Sequence, residues 1–393
     1  MADRKKRSGK KRGGPRVDRL HFAGSEERPD RHDELISRRP ILGSGKTPAA
    51  LVEMQKNRRV YVMGSGSKRP EIDIKRVSEA TTPVWQVDLP VTGEGAQQGF
   101  VPGIAAERTE HEAILDEIDP GVSVAGHRPA WQDVLYQPRL TVQKQFPPLQ
   151  RFDGRPVDPL VVFGADDRWS FRDSSWPWGL VGKIFTSSGW TGSGVLVGER
   201  LVATAGHVVP WADAAAGSWW MRFVPAYYDG SSLHGAGVES YVSHAKGFNI
   251  SNVVGYDWAI LRLYDPLGSS LGYFGFNGYS SDWNDLNVWS GIGYPGAIAS
   301  GQRPAYQGGY SIIDVDSDSN GGKEIESRSA DLTSGNSGGP IFAWWSGDPR
   351  IVGVVSGAEQ EYWFPFSIKW VNVFAGGSGF TNLIWWGRTN WPA

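Results

Sequence analysis

From about residue 161 the chain runs as short stretches of β-branched and aromatic residues bounded by Gly, Ser, Asn and Asp. The stretches at 180–185, 194–197, 201–204, 258–263, 340–344 and 350–355 have the length and punctuation of antiparallel strands, and their spacing predicts a barrel or a sandwich. The run at 379–386 differs: Phe380, Leu383, Ile384 and Trp386 recur at helical spacing, which predicts a terminal helix capped by Ser378. Upstream the pattern is weaker. Short elements fit 59–63 and 83–89 and a helix fits 110–118, but Gly and Pro interrupt too often to predict an independent domain. No repeat of solenoid or propeller period is visible.

Residues 1–40 are dominated by charged residues, Gly and Pro, with a basic cluster at Lys5, Lys6, Arg7, Lys10, Lys11 and Arg12. Such a segment cannot bury enough apolar surface to order itself and reads as a disordered basic tail. Only Trp85 and Trp131 of the 19 tryptophans precede residue 150. That asymmetry divides the rest into an extension at 41–158 and a main domain at 159–393.

Composition supports a folded, turn-rich, all-β main domain. Hydrophobic residues make up 40% and charged residues 21%, enough apolar material for a core. The 51 Gly, 25 Pro and 19 Trp argue against a helical bundle. A formal charge of −2 gives no reason to expect a nucleic-acid or anionic-membrane partner. The basic cluster could bind nucleic acid or an acidic partner, but no aromatic residues are interleaved to stack bases, and solvation is the plainer reading. With no cysteine, disulfides, thiolate chemistry and cysteine-ligated metals are excluded, and neither metal nor cofactor is expected. The charged start lacks the apolar core of a signal peptide and no apolar run reaches membrane-spanning length, which favours a cytoplasmic protein, with an extracellular one as the alternative.

Three segments carry residue types that nucleophilic catalysis requires. Thr204-Ala205-Gly206-His207 places a His after an apolar strand; alone it would read as a buried, backbone-satisfied histidine. Asp257 stands at the mouth of the strand Trp258-Ala259-Ile260-Leu261; alone it would read as a strand-end residue, and Asp265 and Asp282 are other acids nearby in sequence. In Ser334-Gly335-Asn336-Ser337-Gly338-Gly339-Pro340 a Ser is flanked by glycines that let backbone amides turn inward, directly before an apolar strand. A flexible Gly/Ser linker would not sit between two apolar strands.

In this order the three segments resemble the signatures of chymotrypsin-fold serine peptidases, TA[AG]H, D-[WILV]-A-[IL] and G-[DN]-S-G-G-P. Val162-Phe163-Gly164-Ala165-Asp166-Asp167-Arg168, Trp176-Pro177-Trp178 and Gly293-Tyr294-Pro295-Gly296 are similar to the glutamyl endopeptidase branch. The resemblance covers roughly 160–390 and implies an all-β fold of two six-stranded antiparallel β-barrels with a C-terminal helix, preceded by a poorly ordered N-terminal extension. It implies a serine endopeptidase acting on protein or peptide, with Ser337 as nucleophile, His207 as base and then acid, and Asp257 as orienting acid. Gly335 and Ser337 would supply the oxyanion amides, and Val355, Ser356 and Gly357 would pair with substrate as an added strand.

The glutamyl branch carries a His at the position of Val355, so strict cleavage after Glu is not expected. Trypsin-like members place an acid where Asp331 stands, six residues before the nucleophile; it would either attract Arg and Lys or brace the loop. The resemblance also implies that residues 1 to about 155 are a pro-region, cut near Arg151 or Arg155, or a regulatory arm. A protease-like scaffold gripping protein or sugar through Trp219, Trp220, Trp385 and Trp386 is the competing expectation. An esterase would normally place its Ser in a G-x-S-x-G elbow ahead of acid and His, whereas here Ser comes last.

Overall fold

A computed structural model describes residues 27–63, 74–76, 84–90, 101–109, 123–141, 160–250, 252–363 and 367–392. The basic cluster at 5–12, the helix expected at 110–118 and the segment around Arg151 and Arg155 lie outside these residues.

The first half of the main domain is a closed six-stranded antiparallel barrel. Its order is Met221–Pro225, Val181–Thr186, Thr191–Leu196, Leu201–Thr204, Ala259–Leu263 and Ser240–Gly247, and the last pairs back onto the first through Arg222 with Tyr241 and Phe223 with Ser240. Closure involves only the start of Ser240–Gly247, so its later residues keep an edge among these six strands, and the interior is filled with Ile184, Val195, Val202, Phe223 and Ile260, all buried.

The second half is built on Trp289–Gly293, Ala305–Tyr310, Lys323–Ser327, Pro340–Trp345, Asp348–Trp363 and Ser367–Gly376, with Asp314–Ser317 added as a hairpin arm. Among the described residues no backbone ladder joins its two ends. The Gln307 side chain spans them, donating to Ser329 O at 2.8 Å and accepting from Asp331 N at 2.7 Å. Its own core holds Trp283, Trp289, Trp345, Ile341 and Phe374. The halves meet along an aromatic seam, where Trp178 lies 5.2 Å from Tyr306, 6.1 Å from Phe342 and 6.3 Å from Trp344 between ring centroids. The edge-to-face pairs, those with Tyr306 and Phe342, contribute about 0.5–1.5 kcal/mol each beyond their buried area.

The C-terminal helix, Ser378–Asn390, crosses back to the first barrel with Phe380, Leu383 and Ile384 fully buried. Arg388 ties it down, Nε donating to Val197 O at 2.5 Å and Nη2 to Phe274 O at 2.7 Å. Ser378 does not cap it as expected. Gly377 takes the capping position at φ +94°, and the Ser378 hydroxyl faces Gly321 O instead.

The tail expected to run to residue 40 is docked from residue 27 onward. Trp345 Nε1 donates to Glu27 O at 3.0 Å, Gly347 N to Asp30 Oδ2 at 2.8 Å, and Leu35 of the helix His32–Ile36 is buried. The extension continues this embrace. Leu51 and Met54 of the helix Ala49–Lys56 join the main core, and Gln55 Nε2 donates to His234 O at 2.6 Å. Ala105–Arg108 pairs in parallel with Ser240–Gly247, and Ser123–Val124 pairs antiparallel with Gly275–Asn277. Trp131 Nε1 donates to Ser270 O at 2.9 Å, while Val134 and Tyr136 are buried. At about 1.5–3 kcal/mol for each buried Leu, Met or Val, these contacts are a real share of the fold's stability.

Candidate active site

His207 sits in a short 3-10 turn, Gly206–Val208, one residue beyond the strand Leu201–Thr204. Trp211 Nε1 donates to Gly206 O at 2.8 Å and fixes that turn. Asp257 precedes the strand Ala259–Leu263, where its neighbour Trp258 is clamped between Phe248, at 5.0 Å, and Phe380 of the terminal helix, at 6.3 Å. The two segments are held face to face because their strands pair, Ala259 opposite Thr204.

Asp257 is 1% exposed and accepts three hydrogen bonds. Its Oδ1 accepts His207 N at 2.9 Å, and its Oδ2 accepts His207 Nδ1–H at 2.7 Å and the Ser356 hydroxyl at 2.7 Å. A carboxylate with no proton to give requires the hydrogen on Nδ1, which leaves Nε2 as the acceptor nitrogen of neutral His207. Burial pulls the His207 pKa down, but the Asp257 hydrogen bond and charge together outweigh it and leave the pKa above its ordinary 6.5.

Ser337 lies on the loop between Leu332 and the strand Pro340–Trp345. Gly335 (φ +99°) and Gly338 (φ +79°) hold left-handed conformations that a side chain resists, and a Cβ on Gly335 would stand 2.3 Å from Tyr294 O. Ser193, which the motifs do not point to, stitches this loop to the first barrel. Its N donates to Ser337 O at 2.8 Å, its hydroxyl donates to Gly335 O at 2.7 Å, and the same hydroxyl accepts Tyr294 N at 2.9 Å. The one sequence signal is Gly192-Ser193-Gly194 inside an apolar strand, since strand glycines mark close backbone approach.

His207, Asp257, Gly335, Ser337, Ser356 and Gly357 all line one cleft of about 400 Å³, whose other walls include Leu160, Trp190, Val253 and Ser334. Val355 is not among the residues of this lining. Its N donates to Gly339 O at 2.9 Å and its O accepts Gly338 N at 2.9 Å, so its backbone is already committed. The ladder slips between Val355 and Gly357, and this bulge turns Ser356 toward Asp257.

Asp331 is 2% exposed and stands outside the cleft lining. Its Oδ1 accepts Phe163 N and its Oδ2 accepts Asp167 N, each at 2.8 Å, and burial pushes its carboxyl up to about 6 against the pull of those two amides. Trp219, expected as an exposed anchor, is buried, and Trp220, Trp385 and Trp386 are half-buried. Asp316, Glu324 and Glu326 bring carboxylate oxygens within 4.8 Å of one another, but none of them lines the cleft.

Residues 170–362 match the family model described as Trypsin. Among curated proteins the chain is 27% identical over 189 residues to glutamyl endopeptidase of Bacillus licheniformis, covering 48% of this chain and 56% of that protein. It thus spans about half the length of the curated relative it matches. Solved structures that it resembles include a Glu endopeptidase in complex with MPD (19% identity, TM-score 0.44, 58% of this chain and 99% of that one). Another is a thermostable serine protease, AL20, from an extremophilic microorganism (21% identity, TM-score 0.41, 54% of this chain and 99% of that one).

Proposed function

We propose that the chain, whose residues 170–362 match the family model described as Trypsin, is a serine endopeptidase working through an acyl-enzyme on Ser337. The observation that carries this reading is the Asp257–His207 hydrogen bond of 2.7 Å on the same cleft as Ser337. His207 Nε2 takes the Ser337 proton as the hydroxyl attacks the scissile carbonyl, then gives it to the departing amine; water repeats the sequence to release the acid. Asp257 keeps His207 in the required tautomer and stabilises its protonated form. The amides of Gly335 and Ser337 receive the oxyanion, an interaction whose loss costs about 2.7–4 kcal/mol in the barrier.

Substrate backbone runs along Ser356 and Gly357. Among the described residues the cleft lining contains no Lys or Arg to receive an acidic side chain, and Asp331 is braced behind the loop, so cleavage follows uncharged residues. The extension at 41–158 acts as a regulatory arm that stays with the enzyme, a reading supported by Leu51, Met54 and Val134 in the main core. Digestion of a mixed peptide library, read by mass spectrometry, tests both parts. Cleavage after uncharged residues, abolished by Ser337→Ala, is expected; a profile dominated by Glu or Arg overturns the specificity, and cleavage that survives Ser337→Ala overturns the mechanism.

A further inference from the structure

Resting on the peptidase reading, we propose that Arg168 is a positioning residue that sets the oxyanion loop from outside the cleft. Arg168 is 2% exposed, a nearly buried cation. Its guanidinium divides between two tasks. Nε and Nη2 bind Asp166 in a fork, at 2.9 Å to Oδ1 and 2.7 Å to Oδ2. Nη1 reaches into the nucleophile loop, donating to Thr333 Oγ1 at 2.9 Å and to Asn336 Oδ1 at 3.0 Å.

Asn336 stands between the two proposed oxyanion donors: it carries the peptide unit that presents the Ser337 amide, and the turn it closes contains Gly335. Its Oδ1 also accepts Thr333 N at 3.1 Å, and its own N donates to Thr333 O at 3.0 Å, which closes residues 333–336 into a turn with Arg168 at its open side. The turn packs closely on the sheet: a Cβ on Gly293 would stand 2.4 Å from Asn336 Nδ2 and 3.0 Å from its Cα, so only glycine admits this approach.

The backbone around Arg168 is fastened to the same loop. Leu332 N donates to Val161 O at 3.0 Å, Asp331 takes the amides of Phe163 and Asp167, and Asn372 grips Val161 on both sides, accepting its N at 2.9 Å and donating to its O at 2.6 Å. Residues 161–168 are therefore a strap laid along 331–336, with Arg168 as its last fastening. A buried Arg–Asp pair is weak evidence for stability, because desolvation offsets much of its attraction. Four directed hydrogen bonds, two of them on the turn that aims the oxyanion amides, are what positioning requires.

Loosening that turn displaces donors that must meet the developing charge, and a misplacement of about 1 Å costs on the order of 10²-fold in rate. The test uses the full chain with Arg168→Ala, Arg168→Lys and Thr333→Val, steady-state kinetics on a peptide substrate and the rate of labelling by a fluorophosphonate. For Arg168→Ala, kcat and the labelling rate fall about 10²-fold while KM and the acid limb of the pH profile stay put. Lys does not restore them, since a point charge cannot serve Asp166 and the loop together. Free guanidinium, well below denaturing concentration, restores part of the lost kcat.

A folded Arg168→Ala with wild-type kcat, or a loss that guanidinium leaves untouched, overturns the proposal. If Arg168→Ala fails to melt cooperatively, Thr333→Val decides: it removes one loop bond, and an unchanged kcat overturns the proposal whereas a fall of about tenfold at constant KM upholds it. An inactive, unlabelled wild type would instead refute the peptidase reading itself.

Discussion

Asp257→Asn exchanges one oxygen for an NH2 group with no change of shape, and the hydrogen bonds say which oxygen. Oδ1 is pinned by His207 N at 2.9 Å, a donor that cannot turn, so the amide oxygen stays there and the NH2 group takes the place of Oδ2. It then faces His207 Nδ1 and the Ser356 hydroxyl, each at 2.7 Å. The hydroxyl can rotate away; the imidazole must move its proton to Nε2, and the ring then points a hydrogen at Ser337 where it should accept one. The wrong tautomer costs about 10⁴-fold in kcat, or about 5 kcal/mol of barrier.

The pH dependence moves too. On the proposed mechanism His207 works as the neutral base, so activity rises with pH through its pKa, which lies above 6.5 in the wild type because of Asp257. In the Asn variant only the burial that lowers the pKa remains, and the residual activity begins at lower pH. Steady-state kinetics of both proteins between pH 4 and pH 9, on a peptide with a chromogenic leaving group, measure both effects. A loss of kcat under about tenfold, or an acid limb that does not shift, refutes the assigned orientation of His207.

Leu51→Ala destabilises the active protein by about 2–5 kcal/mol, because Leu51 is 1% exposed within the main core; calorimetry of the purified active form measures it, and an unchanged melting temperature means the extension has been shed. Asp331→Ala leaves the amides of Phe163 and Asp167 without acceptors and lowers stability by about 1–3 kcal/mol, yet keeps the same cleavage preference in a peptide library. A changed preference would put Asp331 back in the pocket.

The strands of the main domain were legible where apolar runs end at Gly, Asn or Asp, as at Leu201–Thr204, which lies where the pattern puts it. The strand expected at 350–355 runs from Asp348 to Trp363, because beyond Gly357 it is held by ladder bonds to Ser367–Gly376, and such bonds do not depend on side-chain polarity. The docking of residues 27–40 had no local signal: Asp30 meets Gly347 from 317 positions away. The same limit applies at the site. The motifs bring His207, Asp257 and Ser337 onto one cleft because each is a local pattern. Arg168 and the hydroxyl of Ser356 act through long-range hydrogen bonds that no spacing reveals, Ser193 is marked only by its flanking glycines, and the bulge after Val355 is a property of strand register that the apolar pattern does not carry.

The central claim is that Ser337 is a nucleophile activated by His207, and covalent labelling tests it most directly. The intact protein, treated with a fluorophosphonate and digested for mass spectrometry, is predicted to carry a single adduct on Ser337, which His207→Ala slows by orders of magnitude. An adduct on another residue, or equal labelling of wild type, His207→Ala and Ser337→Ala, would contradict it.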